Sequence, residues 1–151
     1  MLSGFWSLAA ATVLGLAAVS ISATSSDATR SSSRFPCEAF GAGDTDLSAQ
    51  YEERIQKKGS RAEFRAEFET STMDGFSAGQ LVVFSIDTVV VGTVPLGSGA
   101  AGQLGAELRL DSTGHGRGNK KPFPPAFPVI QAGSVLEASV GGTRVIGCLL
   151  L

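Results

Sequence analysis

Residues 134–151 constrain the chain most. They read as two β-rich runs, 135–140 and 143–150, joined by Gly141-Gly142. A two-residue link between such runs predicts a tight hairpin, because type I′ and II′ turns need positive φ, which glycine accepts without steric cost. The second run carries Cys148, and the one other cysteine is Cys37, near the start of the expected folded region. In an exported chain two cysteines most simply form one disulfide. A Cys37–Cys148 bond would fasten the last strand to the first and close everything between into one unit. On the chain-entropy account, a loop that long is worth roughly 4–5 kcal/mol. The final four residues, Cys148-Leu149-Leu150-Leu151, also match a C-a-a-X prenylation box. Prenyl transfer is cytosolic, no polybasic segment precedes the box, and Cys148 continues the apolar face of Ile146 and Leu150, so the disulfide is preferred.

Export is read from the amino terminus. Residues 5–23, FWSLAAATVLGLAAVSISA, are uncharged and rich in small apolar side chains, and Ile21-Ser22-Ala23 offers a small-residue cleavage site. This predicts a secretory signal peptide over 1–23, cleaved near Ala23. The n-region carries no Lys or Arg, and the segment is just long enough to span a bilayer, so a retained membrane anchor is the alternative. Residues 24–34 are Ser-rich and polar and predict a flexible tail, leaving 35–151 as one domain. With 12 Lys and Arg against 14 Asp and Glu, the chain lacks the basic footprint of a nucleic-acid binder. The 19 glycines show no G-X-Y period, which excludes collagen.

Between tail and closing hairpin the signals are those of strands. In Ala62-Glu63-Phe64-Arg65-Ala66-Glu67-Phe68-Glu69, apolar and charged residues alternate without a break, as a half-buried strand requires. Residues 48–56 alternate less cleanly. With 57–60 as the hairpin loop, Arg54 would face Glu63, Glu52 would face Arg65, Tyr51 would meet Ala66 and Ala49 would meet Phe68, leaving Glu53 opposite Phe64. Opposite charges so placed contribute roughly 0.2–1 kcal/mol each. The runs 80–86 and 89–94 form a second hairpin about Asp87-Thr88, and their continuous apolar character predicts central strands covered on both faces. Residues 104–111 alternate again. Residues 122–128, PFPPAFP, must be extended, with Phe123 and Phe127 folding back over an open end of the core. Seven or eight strands with regular turn signals and no sustained helical period predict an all-β, antiparallel two-sheet β-sandwich, Ig-like or a small barrel.

Three segments bear a resemblance: Tyr51-Glu52-Glu53-Arg54 with its following charged strand, Val91-Gly92-Thr93-Val94, and residues 122–135, PFPPAFPVIQAGSV. Together they are similar to small secreted bacterial β-sandwich modules of uncharacterised function. The resemblance implies fold and export, and no activity.

Chemistry-bearing residues are few. His115 is the one histidine; a hydrolase built on Asp111 and His115 would need a serine beside the imidazole. No nucleophile-elbow pattern occurs, so no catalytic residue and no cofactor is assigned. One histidine and two distant cysteines give no zinc spacing. Asp44 and Asp46, with Asp111 from another loop, are candidates for Ca²⁺, although Asp and Gly are also what tight turns use. Arg117, Lys120 and Lys121 are the local basic cluster, beside Phe123 and Phe127. With His115 they form the candidate contact loop, suited to a polyanionic glycan or an acidic membrane surface. The favoured reading is an exported, non-enzymatic structural or binding module with an extracellular or cell-surface ligand. The alternatives are the Asp111–His115 hydrolase and a Ca²⁺-dependent surface module.

Overall fold

The computed structural model describes residues 31–57, 59–113 and 119–151. The expected signal segment, most of the expected tail, and His115 and Arg117 lie outside them. Ten strands are described, all but two of them long enough to be read from sequence pattern: β1 (Ser32–Phe40), β2 (Asp46–Gln56), β3 (Gly59–Ser71), β4 (Leu81–Ile86), β5 (Val89–Pro95), β7 (Gln103–Asp111), β9 (Val135–Val140) and β10 (Thr143–Leu149). The two extra strands, β6 (Gly97–Ser98) and β8 (Lys121–Pro122), have two residues each, too short to leave a period. They account for the excess over the expected seven or eight.

The strands form two sheets, β1-β2-β3-β7-β6 with β8 beside β7, and β10-β9-β4-β5. Every pairing is antiparallel except β7 with β8. The result is a two-sheet sandwich. Alternation decides which side chains meet inside it. Leu47, Phe64, Phe68 and Leu108 from the first sheet pack against Val82, Phe84 and Leu136 from the second and against Leu150 just past β10, all at most 2% exposed. β1 begins inside the expected tail, because β2 runs on to Gln56 and offers backbone partners as far as Ser32↔Arg54.

The β2–β3 register corrects the expected one by two residues. Arg54 faces Arg61, Glu52 faces Glu63, Tyr51 faces Phe64, Ala49 faces Ala66, and Glu53 faces Ala62. The pairing runs closer to the turn than expected: Gln56 pairs with Gly59, which stands at a φ of 130°. A slip of two keeps every side chain on its expected face, but it sets like charges opposite one another. The charges are instead matched along each strand, as in Arg54–Glu52 at 2.7 Å and Arg61–Glu63 at 2.7 Å.

A second correction concerns the apolar hairpin. β5 is an edge strand of its sheet, and one face of the hairpin is open, with Leu81 and Val90 each 56% exposed. The closing hairpin forms as expected, with Gly141 and Gly142 both at positive φ. Cys37 and Cys148 are disulfide-bonded across the two sheets, their Cα atoms 5.7 Å apart.

Candidate functional site

The long β2–β3 hairpin has two ends with different chemistry. At the turn end, Asp111 stands on the solvent side of β7 yet is 1% exposed, because Arg61, Lys120 and β8 cover it. Its Oδ2 accepts from Arg61 Nη2 at 2.7 Å, and its Oδ1 accepts from the Thr113 N–H at 2.8 Å and the Thr113 hydroxyl at 2.7 Å. Burial pushes the Asp111 carboxyl up, but the Thr113 bonds and the Arg61 guanidinium override it and hold the group at about 2. With both oxygens engaged, Asp111 is a structural hub at the base of the loop expected to bind ligand.

The neighbouring candidates are similarly occupied. Lys120 Nζ lies 3.1 Å from Glu63 and 3.8 Å from Asp111. Phe123 and Phe127 are half-buried, their ring centroids 4.2 Å apart, and Phe127 also packs on Tyr51 and edge-on to Phe64. They cover the open end of the core as expected, but the segment is not extended throughout: Pro125-Ala126 form a turn, closed by the Phe127 N–H donating to the Pro124 carbonyl at 2.9 Å. Only Lys121 of the described candidates here stands exposed.

At the opposite end a cleft of about 500 Å³ opens between the β1–β2 turn, the end of β3 and the start of β7. That size is ordinary for a ligand site. Asp44, Asp46, Glu69 and Gln103 border it, with Phe40 at its lip, 75% exposed. The floor is fixed by buried hydroxyls: Thr45 Oγ1 and Thr70 Oγ1 are 3.0 Å apart. Asp74 Oδ2 accepts from the Asp44 N–H at 3.1 Å and from Ser71 Oγ at 3.0 Å, tying the β1–β2 turn to the end of β3. Gly43 makes this approach possible, since a Cβ there would lie 1.8 Å from Asp74 Oδ1. Asp46 is half-buried, and its carboxyl is pushed above the usual aspartate value by burial first and by Glu38 and Glu67 after it.

The structure therefore separates the three aspartates proposed for Ca²⁺. Asp46 shares a rung with Glu69 and Gly105, whereas Asp111 lies six residues further along β7, about 20 Å at a strand's rise. Among the described residues no group of three carboxylate, histidine or cysteine ligands is placed to hold a metal ion. No helix among them is long and apolar enough to cross a membrane.

No protein-family model, curated protein or solved structure matches this chain. The resemblance to secreted bacterial sandwich modules thus rests on its three segments alone. Sequence reasoning reached Asp44 and Asp46 but missed Phe40, Glu69 and Gln103. Their meeting depends on the strand register, and the one local signal was the glycine-rich turn after Phe40.

Proposed function

We propose that the protein is an exported, non-enzymatic binding module whose ligand site is the cleft between Phe40, Asp46 and Glu69. The disulfide is consistent with an extracellular or periplasmic compartment, and the expected signal segment supports export. The observation that carries the reading is the cleft itself: it is open, of ligand size, and bordered by the carboxylates of Asp44, Asp46 and Glu69. Among the described residues, no Lys or Arg is ion-paired with Asp44, Asp46 or Glu69. Anionic ligands are repelled by such a lining. A positively charged group offsets the carboxylates of Asp44, Asp46 and Glu69 that line the cleft, and the exposed Phe40 ring offers it a cation–π face. The ligand class is therefore a lysine- or arginine-bearing segment of another protein.

Calorimetry on the oxidised protein with a hexalysine peptide tests this. The expected result is binding that weakens with salt, weakens below the raised Asp46 pKa, and is lost in Asp46→Asn/Glu69→Gln but retained in Glu52→Gln/Glu53→Gln at the other end. Binding that survives the first pair and is lost in the second overturns the cleft as the site. Preference for a neutral hexasaccharide, indifferent to salt, overturns the cationic ligand.

A further inference from the structure

The apolar hairpin presents a mismatch between what its sequence suits and where the fold leaves it. Val89-Val90-Val91-Gly92-Thr93-Val94 has no charge and the pattern of a strand covered on both faces. β5 nevertheless pairs with β4 alone among the described residues. We propose that β5 is a pairing edge, and that a second copy of this chain adds its own β5 there, antiparallel, joining two four-stranded sheets into one.

The other edges are protected. β1 and β10 lie against each other, held by the Cys37–Cys148 bond and by the Leu151 N–H donating to the Pro36 carbonyl at 3.0 Å. β1 also carries Arg34, Pro36 and Glu38, the residue types that blunt a sheet edge. The outer side of β7 is capped at its two ends by the short strands β6 and β8, and the four residues between, Ala106 to Arg109, carry Glu107 and Arg109, again residue types that blunt an edge. β5 has only a bulge against β4 and the terminal Pro95.

Its backbone is available. The Leu96 N–H donates to the Gln80 carbonyl at 2.8 Å, which sets the alternation of the ladder: 82/94 and 84/92 exchange bonds, and Thr93 directs its N–H and C=O to the free side. Pro95 has no N–H and ends the pairing window. Val90 and Leu81, both exposed, lie beside that edge, so a second strand covers apolar surface as well as completing backbone bonds.

The occupant follows from charge and closure. An uncharged strand laid antiparallel to its own copy brings no like charges together, and its twist and length match by identity. An isologous contact uses one patch twice, so the β5–β5 contact itself closes at two.

Sedimentation velocity on the oxidised full chain, from micromolar to millimolar, tests the proposal. A concentration-dependent dimer is expected. Val90→Lys places two cations across the contact at an exposed site, and is expected to weaken self-association by about tenfold or more while circular dichroism and the melt stay unchanged. Thr93→Pro removes the outward N–H without touching the ladder to β4, and is expected to act alike; if it does not fold, Val90→Lys decides. A wild-type chain that stays monomeric throughout overturns the proposal. So does a dimer that Val90→Lys leaves intact, or one dispersed only by Asp46→Asn/Glu69→Gln, which would put the contact in the acidic cleft.

Discussion

Thr88 sits at φ 72°, a region that costs a side chain with a Cβ roughly 1–2 kcal/mol and suits a β-branched one least. Asp87 before it is also at positive φ, 48°, but it has compensation: its N–H donates to the Val135 carbonyl at 2.9 Å and its Oδ1 accepts the Val135 N–H at 2.8 Å. The matching turn of the β9–β10 hairpin uses two glycines. Thr88→Gly is therefore expected to stabilise the fold by about 0.5–1 kcal/mol, the relief of strain exceeding glycine's greater freedom when unfolded. A thermal scan should show a rise of about 2–4 °C. Asp111 gives the acid-side counterpart. Its folded value of about 2 lies below the ordinary 3.8, so its stabilisation is whole above 3.8 and is lost as pH falls from there through about 2. Asp111→Asn should cost about 1.5–3 kcal/mol at neutral pH, since it weakens hydrogen bonds to a charged group. It should also flatten that part of the acid decline, read by urea unfolding at successive pH values.

The strands were legible because each buries one face, and a period of two survives any tertiary context that keeps it so. Register was not. A slip of two residues leaves every side chain on its face, so the pattern around Phe64 and Arg65 is equally satisfied by either pairing. Edge position was also hidden, since Val89 to Val94 look alike at the centre or the rim of a sheet. The cleft escaped for a related reason: Phe40 and Glu69 lie on strands separated by β2 and meet only through the register. The β3–β7 register has its own energetic signature. On the rung Arg65↔Arg109 two cations face each other, and Glu107 bridges them, accepting from Arg65 Nε and from Arg109 Nε at 2.6 Å. Glu107→Gln takes the paired carboxylate from Arg109, while Arg65 keeps Glu67 at 3.0 Å. Because these groups are partly exposed, the expected loss is only about 0.5–1 kcal/mol. It should shrink as the Debye length falls from about 10 Å at 0.1 M salt to 3 Å at 1 M. A loss indifferent to salt would mean that Glu107 acts by packing instead.

At the scale of the molecule, two features act across the sandwich: the hydrophobic layer between the sheets and the one covalent bond that spans it. The bond joins positions 111 residues apart in sequence, so it encloses nearly the whole described chain. β1 is held to its own sheet by nine paired residues with β2, and β10 by its ladder to β9. Each strand thus has a backbone ladder of its own besides the disulfide, and the Leu151 N–H donating to the Pro36 carbonyl is a second link between them. The bond's contribution therefore falls mainly on the unfolded chain, whose freedom it restricts. Replacing both Cys37 and Cys148 by alanine should leave the native circular dichroism unchanged while costing about 3–5 kcal/mol. Removing the cross-link should also raise the denaturant m-value, because the unfolded chain expands and exposes more surface. The two effects together separate this account from its rival. A loss of stability with an unchanged m-value would place the disulfide's role in the folded state, as the clamp that holds β1 against β10, and the variant's amide exchange should then be fastest in those two strands.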